Sequence, residues 1–168
     1  DAAYYNLANI HLKKGDLSKA VKFTEKAVAA DSSNYWYSIQ LARLYSAMGD
    51  LAKSTEVYES VKRRNPAGTS LYIELIDIYV RGREYDKALL TLEDIEKRGG
   101  VNEATALTRY NIMVNQGKME SAIQMIEEVE KSSPSPRISS LLGDYYASVK
   151  KDTLAMQYYS AALALEPG

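Results

Sequence analysis

The chain contains no cysteine, and among its 168 residues it has one histidine, one tryptophan, one phenylalanine and four prolines. Without cysteine there are no disulfides and no thiolate-ligated metal, and one histidine on its own cannot assemble the usual zinc sites. The missing cysteines fit the cytoplasm and a bacterial periplasm equally well. No uninterrupted apolar run approaches about 18 residues, so no membrane-spanning helix is expected. No excess of one charge is present either: 21 Lys and Arg face 22 Asp and Glu, for a net charge of -1. Nucleic-acid binders usually carry a basic surplus or stripe, so nucleic acid is not expected as a partner. Phosphate-cradling glycine loops, GxGxxG turns and nucleophile elbows are all absent, and no cofactor is expected. The chain starts at Asp1 with no signal-like segment, which reads as a piece excised from a longer protein.

What the sequence does contain is a period. Ala20, Ser54, Ala88 and Ala122 are spaced 34 residues apart, and Ala155 follows after 33. Leu7, Leu41, Leu75 and Leu142 keep the same phase, interrupted at Arg109, and Gly15, Gly49 and Gly117 do so too, with Gly82 one residue early. Ser32, Pro66, Gly100, Pro134 and Pro167 close the units. Self-similarity at this interval is the mark of a repeat array, which buries a continuous seam between neighbours instead of one central core.

Each unit holds two stretches of helical periodicity. In the first, Ala3, Tyr4, Leu7, Ala8 and Ile10 precede Gly15-Asp16, and Leu17, Ala20, Val21, Thr24, Ala27 and Val28 follow. Period 3.6 twice around a Gly-Asp break is a helix-turn-helix pair. Gly15 suits the left-handed residue that ends the first helix, and Asp16 suits the cap of the second. The pattern predicts ten helices of about 13 residues and no strand, in units spanning 1–34, 35–68, 69–102, 103–135 and 136–168 of one domain. Ser132-Ser133-Pro134-Ser135-Pro136, where the period loses its residue, reads as a tight turn, with a modified or cleaved hinge as the sharper alternative.

At Leu142-Gly143-Asp144-Tyr145-Tyr146, Gly15-Asp16-Leu17-Ser18-Lys19-Ala20 and Ala162-Leu163-Ala164-Leu165-Glu166-Pro167 the chain resembles the tetratricopeptide repeat family. The resemblance covers essentially the whole chain. It departs at Thr24, where an aromatic is usual, at Arg109 in a leucine column, and at Lys150-Lys151-Asp152, a turn without its glycine. It implies an all-α, right-handed superhelical array of antiparallel helix pairs. It also implies a non-catalytic scaffold whose first helices line a concave groove for a peptide or protein.

Carried over by register, the groove residues are Tyr5, Asn9, Trp36, Gln40, Arg43, Glu74, Asp77, Asn111 and Asp144, with Ile39, Ile73, Leu107, Arg137 and Leu141 beside them. Trp36 and Arg43 are the leading contact candidates, since tryptophan and arginine are enriched at binding hot spots. The bland alternative has Trp36 packing over the adjacent repeat. The family's best-known groove chemistry grips a C-terminal carboxylate with lysines, asparagines and an arginine. The first frame here offers Tyr5, Asn9, Gln40, Ser70 and Glu74, and an acid likewise intrudes in the other two. The acids Glu74, Asp77 and Asp144 favour a ligand with basic character. An alternative function is the substrate-recruiting arm of an enzyme whose catalytic domain lies elsewhere.

Other features have structural readings. His11, in a tyrosine column, is expected to pack, not to catalyse. The acid clusters Glu127-Glu128-Glu130 and Glu93-Asp94-Glu96 read as solvated outer faces. Tyr45, Tyr79, Tyr110 and Tyr146 are assigned to the seam between helices. From Thr153 to Leu165 there is no charged residue. A terminal repeat needs a polar outer face, so either the array continues past Gly168 or this helix self-associates.

Overall fold

The computed structural model describes residues 1–64 and 69–165. The repeat-closing residues Pro66 and Pro167 lie outside them. Among the described residues ten helices, α1 (Ala2–Lys13), α2 (Leu17–Ala30), α3 (Tyr35–Ala47), α4 (Leu51–Arg64), α5 (Thr69–Arg81), α6 (Tyr85–Gly99), α7 (Glu103–Asn115), α8 (Met119–Ser132), α9 (Pro136–Ser148) and α10 (Asp152–Leu165), follow one another. No strand occurs among the described residues. The chain divides into two bodies, Asp1–Thr91 and Leu92–Gly168, with the division falling inside α6.

The turns follow local chemistry. Gly15, Gly49 and Gly117 have φ of 76°, 82° and 77°, a conformation that costs glycine almost nothing. The Asp16 and Asp50 carboxylates accept the amides of Lys19 and Lys53, each at 3.1 Å, and cap α2 and α4. In the third and fifth turns the left-handed residue is not glycine. Arg83 and Lys150 take it, both at φ 59°. Gly82 is therefore not the register glycine; its neighbour occupies that position. Ser132 to Pro136 forms a tight turn in which Ser135 caps α9 through Ile138 N at 3.2 Å and Pro136 starts the helix. A proline there loses no hydrogen bond, because the first amides of a helix have no partner within it. Ser135 is buried, which leaves no accessible hinge at that residue.

Packing rests on the small column. Ala20, Ser54, Ala88, Ala122 and Ala155 are all buried. Ser54 keeps this place because its hydroxyl donates to the Ala42 carbonyl of α3 at 2.8 Å. Thr24, buried where an aromatic is usual, likewise donates to the carbonyl of Ala20 at 2.8 Å. Neither leaves an unpaired polar group inside. In the amino-terminal body Ala20 and Val21 of α2 pack with Leu41 and Leu44 of α3. In the carboxy-terminal body Ala106, Ile123, Ile126, Ile138 and Leu142 join α7, α8 and α9. α9 and α10 approach closely, and a Cβ on Gly143 would fall 2.6 Å from Tyr159 Cε1.

Where Arg109 replaces leucine, its guanidinium meets Glu96 Oε2 at 2.6 Å, and the two side chains are only 25% and 12% exposed. The cation is tolerated because α6 supplies its counter-charge. The acid clusters need a related correction. Glu130 is buried and accepts the Ser135 amide at 3.1 Å and the Ser139 hydroxyl, so it fixes the α8–α9 turn, whereas Glu128 alone of its cluster is exposed. Clusters read as solvated thus contain the carboxylates that hold successive helices together.

The left-handed turns give a direct test. An L side chain there costs about 1–2 kcal/mol, part of which glycine returns as chain entropy when unfolded. Lys150→Gly is expected to raise stability by about 0.5–1 kcal/mol and Gly117→Ala to lower it by about 1 kcal/mol, as read from urea unfolding of each variant.

Candidate functional site

In the amino-terminal body α1, α3 and α5 present the predicted residues on adjoining faces, and most of the polar ones bind each other. Gln40 Nε2 donates to Asn9 Oδ1 at 2.9 Å. Arg43 makes a two-pronged pair with Glu74, with Nε to Oε2 at 2.9 Å and Nη2 to Oε1, and the Tyr58 hydroxyl donates to the same carboxylate. Arg43 holds Glu74 below the usual carboxylate range against the opposing effect of burial, and burial followed by the bond to Glu74 pushes the Tyr58 phenol upward. Asp77 lies 3.8 Å from Arg81, whose Nη1 reaches the Ser46 hydroxyl at 2.5 Å. Tyr5 tilts against Tyr37 with ring centres 4.9 Å apart.

Two apolar side chains stand out on the same faces. Trp36 is 56% exposed, resting only partly on Tyr35, with ring centres 4.6 Å apart. Ile73 is 60% exposed and borders a shallow hollow with Arg43, Glu74 and Asp77. More than half of the Trp36 side chain thus stays in water. Ile39, placed in the groove by register, is buried and belongs to the interior.

The carboxy-terminal body holds the other predicted residues. Asn111 is exposed, and its backbone carbonyl accepts from Asn115 Nδ2 at 2.8 Å. Asp144 accepts the Tyr159 hydroxyl at 2.7 Å. Asp144 also borders a hollow of about 650 Å³ whose lining includes Leu107, Tyr110, Arg137, Leu141 and Tyr145. Tyr110 packs against the core that joins α7, α8 and α9, in keeping with its reading as a seam residue, and its ring also borders this hollow, with the hydroxyl 3.8 Å from Met119 Sδ. Met113, three residues on, continues the column of Tyr45 and Tyr79.

The other seam tyrosines share one device. Tyr45 donates to Glu25 at 2.6 Å, Tyr79 to Glu59, and Tyr146 to Glu127 at 2.5 Å, each tying a first helix to the second helix of the pair before it. Tyr158 adds a second bond to Glu127 at 3.2 Å and stacks on Tyr146. His11, the histidine of this column, stacks on Phe23 at 5.3 Å, with Nδ1 3.6 Å from Asp16. No group of three or more metal-capable side chains occurs among the described residues, and no described helix is long and apolar enough to cross a membrane.

Family models described as tetratricopeptide repeat match residues 2–34, and 39–102 together with 112–168. No curated protein sequence matches the chain. Among solved structures, MamA 41-end from Desulfovibrio magneticus RS-1 is similar at 14% identity and TM-score 0.70, covering 99% of this chain and 94% of that one. A MamA protein crystal structure aligns at 19% identity and TM-score 0.71, covering 99% and 91%. MamA AMB-1 aligns at 21% identity and TM-score 0.64, covering 99% and 92%. At these identities the likeness is one of fold.

The tyrosine bonds make stability sensitive to alkali. Burial and Glu25 push Tyr45 up to about 12, and Glu127 and burial push Tyr146 up to about 12, from the ordinary value of 10.0. A phenol that keeps its proton longer when folded contributes stability that is complete below pH 10.0 and lost as pH rises toward about 12. Melting temperature should fall across that window, and by less in Tyr146→Phe, when thermal unfolding is followed over a pH series.

Proposed function

The chain belongs to the tetratricopeptide repeat family, and from that membership we propose that it is a non-catalytic interaction scaffold of five repeats that binds a peptide or protein partner on its first-helix faces. The carrying observation is the pair Trp36 and Ile73, two large apolar side chains left in water beside polar groups that already have partners. Burying such residues against a partner removes apolar area from water at about 25 cal/mol per Å². Tryptophan in particular recurs where truncation costs most binding energy. Tyr5, Asn9, Gln40, Arg43, Glu74 and Asp77 form the polar surround in the amino-terminal body, and Asn111 and Asp144 contribute in the other.

A photo-crosslinking residue at Trp36 should capture a discrete protein from cells that make this chain. The same residue at exposed Lys22 of α2 should not. Identical capture from both positions, or none from Trp36, would overturn the assignment.

A second reading, self-association through α10, is carried by its outer surface. Met156 is 63% and Leu163 75% exposed, and Leu154 and Leu165 are exposed beside them. The positions equivalent to Met156, Val21 in α2 and Ile123 in α8, are buried. Sedimentation over a concentration series should show reversible association that Met156→Lys with Leu163→Lys removes. A chain that stays monomeric throughout would end this reading.

A further inference from the structure

We propose that the hollow of the carboxy-terminal body reads a short peptide element in its partner: a bulky apolar side chain next to a lysine or arginine, with the cation held by Asp144. This rests on the interaction-scaffold reading and names the chemistry that one part of the surface selects.

Four observations carry it. The hollow encloses about 650 Å³, inside the range of about 300–1,000 Å³ typical of ligand sites. Its apolar lining comes from Leu107, Tyr110, Leu141 and Tyr145, none of them fully buried, so a side chain entering it removes their remaining apolar surface from water.

The charges on the lining are unequal in their commitments. Arg137 is already paired, its Nη1 3.3 Å from Glu103. Asp144 is engaged by the Tyr159 hydroxyl and by no cation among the described residues. The two sit on the same stripe of α9, with Leu141 between them at helical spacing. Asp144 is exposed, so an incoming cation reaches its carboxylate directly.

The surrounding charge has the same sign. Residues 92–168 carry eight Lys and Arg against eleven Asp and Glu. A basic element is drawn toward this body, and an acidic one repelled.

The contrast with the amino-terminal body completes the case. There the carboxylate nearest the centre of the face, Glu74, is held by both Arg43 and Tyr58. A basic ligand would have to displace Arg43 to reach it. Asp144, held by the Tyr159 hydroxyl, has no cation among the described residues to displace.

The test is selection of a random peptide library displayed on phage against the chain, followed by fluorescence polarisation with the enriched peptides. Enriched peptides are expected to place Lys or Arg within two residues of Leu, Met, Ile or Phe. Asp144→Asn keeps an acceptor for Tyr159 and loses only the charge. It should weaken binding by about threefold to tenfold. Asp144→Lys should weaken it further and, when selected anew, enrich acidic residues in place of basic ones. Peptides lacking a cation, equal affinity for Asp144→Lys, or no enrichment at all would overturn the proposal. Peptides that survive Asp144→Lys but are lost with Trp36→Ala would sink the hollow while leaving the scaffold reading intact. Melting curves of each variant separate lost binding from lost folding.

Discussion

Two helices can lie close together only where neither presents a large side chain, and every pair in this chain uses the same position to meet that condition. Ala20, Ser54, Ala88, Ala122 and Ala155 are buried at a contact where a leucine would overpack by about 1–3 kcal/mol. Much else is arranged around this approach. It brings Ser54 within reach of the Ala42 carbonyl and thereby permits a hydroxyl in an interior position. It also demands size compensation elsewhere. Gly143 is small because the Tyr159 ring occupies the space that its side chain would fill.

Close pairs alone do not make an array; each must also hold the next. Apolar packing does part of this, through Leu41 and Leu44 on α2 and through Ile138 and Leu142 on α8. Directional bonds do the rest. A tyrosine near the end of a first helix donates to a glutamate of the preceding second helix at three places, and at a fourth an arginine-glutamate pair serves. Tyr79 and Tyr146 are buried while Glu59 and Glu127 are half-buried and Glu25 is exposed, so a charge-assisted hydrogen bond gains strength there without the whole cost of burying the carboxylate.

The helices were legible because their signal is redundant. Periodicity, small column and turn glycine recur in phase, so a lapse in one is corrected by the others. The third and fifth turns show it: Arg83 and Lys150 adopt the left-handed conformation without glycine, since the helices on either side are already determined. Pairings were not legible. Glu96 and Glu130 sit among other acids like residues of a solvated face, and only the facing helix discloses Arg109 or Ser139. Tyr110 stands three residues before the column of Tyr45 and Tyr79, close to one turn of helix away, and still packs against the core that joins α7, α8 and α9.

The same logic governs the surface. Register can say which side chains share a face but not whether they are free to bind. Arg43 and Glu74 looked like two ligand contacts, and they are largely contacts of each other. Removing such a pair from water for a ligand requires the ligand to replace bonds already made, so its net gain is small. Uncommitted groups carry more weight: Trp36 and Ile73 because they are apolar and wet, and Asp144 because its partner is a neutral hydroxyl. On either body a ligand gains less from the most conspicuous charges than from the few groups that local packing leaves uncommitted.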